Sequence, residues 1–302
     1  MADKNQEEVV SLANRHLGKV GGDGYSDQYD ASLLVKIPRY LNREAYSLTG
    51  EEFVGVDTWN AYEVSAITEK GQPVAGMLKI VCPADSYNHV ESKSIKLYLN
   101  SLNMTKIGKT ASDCISGIEA RVKRDLDELL ETDTTVSFYT SNDDGHPLSF
   151  EGYVDLKDAT DLDQIDFTAF QSDASQLTVE EVAEESSEIK LSSNLLRSNC
   201  RVTNQPDWGD VYIKIIGKKI PSSGSIAKYI VSHRTVSHFH EEICEMIFRH
   251  LYDAFQPEQL MVSCLYTRRG GIDINPIRAT HSMLIPEFFT SPEFRIAKTL
   301  RQ

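Results

Sequence analysis

The order of elements along this chain repeats, and the repeat limits the possible folds more than any single motif does. In the first half, residues 77–82 and 94–100 are rich in strand-forming residues and straddle a polar connection. Apolar residues then recur at Ile115, Ile118, Val122, Leu126 and Leu130, mostly in steps of three and four, which predicts an amphipathic helix. Val136, Phe138 and Thr140 follow as a strand. In the second half, Val211, Ile213 and Ile215 alternate with Tyr212 and Lys214. A helical run follows with Ile243, Ile247, Leu251 and Phe255 at steps of four, and then Leu260, Val262, Cys264 and Tyr266 alternate again. Units offset by roughly 130 residues are far too long for a solenoid. They imply two similar α+β lobes packed together.

This divides the chain into a polar segment 1–30, a first lobe 31–154, an acidic stretch 155–190 and a second lobe 191–302. In the acidic stretch, Asp155, Asp158, Asp161, Asp163, Asp166 and Asp173 are followed by Glu180, Glu181, Glu184, Glu185 and Glu188, opposed only by Lys157 and Lys190. Such a run is expected to be a solvated, partly mobile linker. Near the start, Gly21-Gly22-Asp23-Gly24 is expected to be a loop, not a phosphate cradle.

Charge and cysteine usage exclude several classes. With 31 basic against 45 acidic residues the net charge is −14, a field that repels nucleic-acid backbones and anionic lipid. No apolar run approaches the roughly 20 residues that span a bilayer. The opening residues lack the pattern of a signal peptide, so a cytoplasmic location is expected. Cys82, Cys114, Cys200, Cys244 and Cys264 form no Cys-x-x-Cys pair, which argues for free thiols and against a zinc ribbon. Four lie in apolar or helical surroundings and are expected to fill the core.

Four clusters carry the residue types that chemistry needs. Glu91-Ser92-Lys93-Ser94 is expected at the mouth of a strand, where side chains project into a cleft. Cys200 stands among polar residues, with Asp207 seven positions on, past Pro206. A thiol and a carboxyl so placed suit nucleophilic and proton-transfer chemistry, although a loop cysteine without a role has the same local pattern. His238-Phe239-His240-Glu241-Glu242 opens the second-half helix. Together with His233 it supplies three histidines, yet no thiol pair and no His-Glu-x-x-His spacing, so no metal is expected. A His-Glu pair there suits a polar ring, the carboxylate accepting from ring N–H and amino groups. Tyr266-Thr267-Arg268-Arg269-Gly270-Gly271 ends a strand with guanidinium forks and flexible backbone, which suits a phosphate-bearing ligand. No Gly-x-Gly-x-x-Gly or Walker loop occurs, so a nucleotide must bind by another architecture.

Residues 90–101, Ser198-Asn199-Cys200 with Gln205-Pro206-Asp207-Trp208, Phe239-His240-Glu241 and residues 266–276, in that order, resemble the NADPH-dependent 7-cyano-7-deazaguanine reductases, the QueF nitrile reductases, in their long bimodular form. The resemblance spans nearly the whole chain except the acidic stretch. It implies two tandem tunnelling-fold (T-fold) lobes, antiparallel sheets with helices on one face. It implies reduction of the nitrile to an aminomethyl group by two NADPH through a cysteine thioimide, a step of queuosine biosynthesis in tRNA modification. Carried over, Cys200 is the nucleophile and Asp207 the acid. Val90, Glu91, Ser92, His240 and Glu241 hold the deazapurine, and Ser92, Lys93, Arg269 and Gly270 hold NADPH. A cytoplasmic homodimer without nucleic-acid or membrane partners is implied as well. The rivals are an amidine-forming relative acting on the same base and a non-catalytic purine-binding protein.

Overall fold

In a computed structural model the described residues are 7–9, 11–12, 27–142 and 144–302. Most of the 1–30 segment, with Gly21-Gly22-Asp23-Gly24, lies outside them. The strands are β1 (Lys36–Pro38), β2 (Val54–Ile67), β3 (Pro73–Pro83), β4 (Asn88–Val90), β5 (Thr135–Tyr139), β6 (His146–Leu148), β7 (Val154–Asp155), β8 (Val179–Cys200), β9 (Pro206–Pro221), β10 (Ser237–His238), β11 (Gln259–Tyr266), β12 (Ile272–Ala279) and β13 (Phe294–Ile296). The four longer helices are α1 (Ser92–Asn100), α2 (Ala111–Leu130), α3 (Ser223–Ser232) and α4 (His240–Phe255).

The duplication is visible in the topology. A hairpin β2–β3, two helices and β5 in the first half match a hairpin β8–β9, two helices and β11 in the second. In each half the closing strand pairs antiparallel with the second strand of the hairpin. One mixed sheet runs through both halves in the order β10-β8-β9-β11-β12-β2-β3-β5, antiparallel apart from β10 and β7, which run parallel to β8. The seam is β12 against β2, in register from Ile272↔Ala61 to Ala279↔Val54. Strand alternation sorts the core: Leu260, Val262 and Cys264 of β11 pack with α3 and α4, whereas Met261 and Leu265 face Phe288 and Phe289 on the other side. Helices α1 and α2 cover the corresponding face of β2 and β3. Cys82, Cys114, Cys244 and Cys264 are buried as core fillers, and Cys200 is half-buried.

A buried ion cluster ties the halves together. Arg278 of β12 reaches Asp57 at 2.8 Å and Glu245 of α4 at 2.8 Å. Arg39 holds the other oxygen of Asp57 at 2.6 Å, and Arg43 holds Glu245 at 2.7 Å. Burial alone would raise both carboxyls, but the guanidinium groups outweigh it and hold both below their ordinary values.

Two expectations are corrected. Residues 94–100 are not a strand but most of α1. Glu91 caps that helix, its carboxylate accepting from the N–H of Lys93 at 2.9 Å and of Ser94 at 2.7 Å. The buried Ser94, Ile95, Tyr98 and Leu99 fall on one helical face, and this tertiary stripe overrides the strand propensity of the segment. Nor is 155–190 a free linker. From Val179 it is strand, paired to β9 from Val179↔Pro221 to Lys190↔Lys214 with a break in register between Val182 and Ser187. Glu188 is neutralised by Lys190 at 2.8 Å and Lys214 at 2.6 Å. Upstream, Leu156 is buried, and Leu162, Ile165, Phe167 and Leu177 pack against the second-half core. The acidic side chains are solvated, but the glutamate run is carried on a sheet strand and the aspartate run before it packs against the second-half core.

Candidate active site

The β8–β9 turn positions the thiol and the carboxyl. The N–H of Cys200 donates to the carbonyl of Gln205 at 2.8 Å and the N–H of Asn204 to that of Cys200 at 2.9 Å, with Asn204 in the left-handed region at φ 55°. Asp207 lies opposite Ser198, and strand alternation puts Ser198 and Cys200 on one face. The thiol and the Asp207 carboxyl are therefore diagonal neighbours across the hairpin.

Asp207 is 2% exposed and contacts two cationic or potentially cationic groups. Its Oδ2 lies 3.4 Å from His240 Nε2, and its Oδ1 accepts from Arg269 Nη1. Burial pushes its pKa up, but His240 and Arg269 prevail and hold it below the ordinary aspartate value. At rest the group is a carboxylate. His240 itself is fixed by stacking on Tyr266, centroids 3.8 Å apart and planes within 5°.

Opposite these groups stands the N-terminus of α1. Glu91 is 4% exposed, and burial raises its pKa more than the Lys93 and Ser94 N–H bonds lower it. Ser92 and Lys93 are exposed at the rim. After β11, Gly270 and Gly271 take φ of 62° and 81°, and a Cβ on Gly270 would meet Lys96 Nζ at 2.7 Å. This left-handed backbone favours glycine, and a Cβ there would displace the end of the Lys96 side chain.

These elements enclose a cavity of about 380 Å³, a volume suited to a small-molecule ligand. It brings together the ten residues to which the resemblance gives a catalytic, base-binding or NADPH-binding role. Val90, Glu91, Ser92 and Lys93 come from the first half, Cys200 and Asp207 from the hairpin, His240 and Glu241 from the start of α4, and Arg269 and Gly270 from the turn after β11. The other two histidines are dispersed. His233 is buried, with its pKa pushed down to about 4 by burial. His238 reaches the cavity wall but is engaged by Tyr46 at 2.8 Å and Glu242 at 2.8 Å.

Residues 25–138 match the family model described as "Nitrile reductase, 7-cyano-7-deazaguanine-reductase N-term", and residues 206–283 match one described as "QueF-like protein". The chain is 40% identical over 278 residues to the NADPH-dependent 7-cyano-7-deazaguanine reductase of Hahella chejuensis, covering 90% of this chain and 96% of that protein. To the protein of the same name from Rickettsia akari it is 38% identical, covering 90% and 94%. The chain belongs to the 7-cyano-7-deazaguanine reductase family. A solved structure described as an archaeosine synthase QueF-Like in the apo form aligns with 34% of this chain at 17% identity and a TM-score of 0.29, too slight a likeness to bear on the fold.

In this family member the cavity also includes residues that sequence reasoning missed. Trp59, Lys96 and His89 line it; Lys96 lies within the 90–101 stretch but carried no role there, whereas Trp59 and His89 lie outside the four motifs. His89 sits only two residues before Glu91, and nothing in its local pattern separates it from a surface histidine.

Proposed function

We propose that this chain reduces the nitrile of 7-cyano-7-deazaguanine to an aminomethyl group at the expense of two NADPH, through a thioimide on Cys200. The observation that carries the mechanism is the Cys200–Asp207 hairpin opening into a cavity walled by two buried carboxyls. The carboxyls of Glu91 and Glu241 suit the N–H and amino donors of a guanine-like ring. Asp207, held ionised, takes the thiol proton of Cys200 as the sulfur adds to the nitrile carbon. It then gives that proton to the nitrile nitrogen. One S–H and one C≡N π bond are lost, and one S–C and one N–H bond form. His240, next to Asp207, supplies the route for later protons.

The residues at the rim fit a dinucleotide. Lys93 and Arg269 are cations with exposed surface, and Gly270 and Gly271 let a ligand approach the backbone closely. NADPH bound there supplies hydride. Ser92, Lys93, Arg269 and Gly270 are the residues that would hold it.

We assign each half, 31–154 and 191–302, to one T-fold lobe. The repeated hairpin–helix–helix–strand order supports this, and the strand residues 179–190 go with the second lobe. The assembly proposed is a homodimer.

Incubation with 7-cyano-7-deazaguanine without NADPH tests the chemistry. Intact-protein mass spectrometry should show one substrate mass added, located on the Cys200 peptide and lost in Cys200→Ala. An adduct on Cys82, Cys114, Cys244 or Cys264, or none at all, would contradict the proposal.

A further inference from the structure

His89 is the least explained polar group of the cavity. It is 5% exposed on β4, and neither ring nitrogen has a hydrogen-bond partner. Its Nδ1 lies 3.8 Å from Oε1 of Glu241, outside hydrogen-bond reach, and that oxygen is also buried without a partner. The ring is held edge-on by Phe239, centroids 5.2 Å apart at 73°. An imidazole and a carboxylate oxygen, buried side by side, carry a desolvation penalty that no hydrogen bond from the protein offsets. Both line the cavity, so a ligand there can satisfy both.

We propose that His89 reads the base, donating a ring N–H to the acceptor that neighbours the donor bound by Glu241. This rests on the deazaguanine reading above. The chemistry of that ring makes the pairing specific. Its carbonyl oxygen sits beside the ring N–H, and its pyrimidine nitrogen acceptor sits between the amino group and the pyrrole N–H. Whichever donor edge faces Glu241, an acceptor lies next to it, on the side where a donor is needed. A carboxylate beside an N–H donor thus matches a 2-amino-oxo ring and rejects a 6-amino purine, whose amino group replaces the carbonyl. His89 is a specificity residue, and the proton transfers remain with Asp207 and His240.

The test compares wild type with His89→Leu and His89→Gln in NADPH oxidation and in adduct formation without NADPH, each as a function of 7-cyano-7-deazaguanine concentration. His89→Leu should raise KM and the half-saturating concentration for the adduct by about 5- to 100-fold, with a much smaller fall in kcat. His89→Gln, which keeps a donor, should recover part of that loss. Combined with Glu241→Gln, His89→Leu should cost less than it does alone, because the two groups read one edge. A merely structural role would instead lower kcat and thermal stability together, with no rescue by Gln, and that result overturns the assignment. So does an unchanged KM in both variants of an active enzyme. If wild type itself shows neither adduct nor NADPH oxidation, the deazaguanine reading fails and takes this one with it.

Discussion

Replacing Asp207 by Asn separates proton transfer from nucleophilicity and from binding. The amide keeps the size of the carboxyl, and its oxygen can still accept from Arg269, so the hairpin and the Arg269 contact survive. What is lost is a group that accepts the thiol proton and returns it to nitrogen. Positioned acid–base groups contribute about 10²–10⁴-fold, or about 3–5 kcal/mol of barrier at 1.36 kcal/mol per decade. The structure favours a loss within that range, because Asp207 is 2% exposed and water has little access to substitute for it. The assay is the rate of adduct formation at saturating nitrile without NADPH, alongside steady-state NADPH oxidation. Both should fall together in Asp207→Asn, while substrate affinity, which the proposal assigns to Glu91 and Glu241, should change far less. The pH dependence has a definite sign. His240 and Arg269 depress the Asp207 pKa against the effect of burial, so the carboxylate persists through neutral pH. Wild-type adduct formation should lose this group only as pH falls below the ordinary aspartate value, and Asp207→Asn should lack that acid limb. An unchanged adduct rate at saturation, or a variant impaired mainly in binding, would refute the role.

Glu241→Gln presents an amide donor to the ring's own donors, and titration calorimetry should show binding weakened by about 1–3 kcal/mol. Leu156→Ala should lower stability by about 2–5 kcal/mol in urea unfolding, since Leu156 is 1% exposed; a neutral result would restore the free-linker view of 155–190. Glu245→Gln leaves Arg43 buried without its counter-charge and Arg278 with Asp57 alone, and should cost about 3–5 kcal/mol by thermal denaturation. The folded-state pKa of Glu245 is depressed, so its contribution is full above the unfolded value of about 4.3 and is lost as pH falls through the folded one. Wild-type stability should therefore drop on acidification more steeply than that of Glu245→Gln.

The duplication was legible because β9, β11, α2 and α4 each carry a strong period, two for half-buried strands and 3.6 for one-sided helices. The ten candidate site residues could be picked out because they sit in four dense motifs, and the folded chain brings those ten to one cavity. The character of α1 was not legible. Ile95, Leu97, Tyr98 and Leu99 look like strand residues locally, and only the Glu91 cap and the one-sided burial reveal a helix. The acidic strand was missed because charge density says how a side chain is solvated and not how its backbone is paired. Strand β8 meets its need for hydrogen bonds through β9, a partner that no local pattern announces. His89 escaped for a related reason, since its significance lies in unpaired nitrogens beside Glu241, a residue 152 positions away by the numbering of the chain.

The central claim is a four-electron reduction of a nitrile at this cavity, and its most direct test is stoichiometry. The enzyme is given limiting 7-cyano-7-deazaguanine with excess NADPH, the loss of NADPH absorbance is followed to completion, and the product is weighed by mass spectrometry. The account requires two NADPH consumed per nitrile, an aminomethyl product, and no consumption by Cys200→Ala. Conversion of the nitrile with ammonia and without NADPH oxidation, or NADPH oxidation that persists in Cys200→Ala, would contradict it.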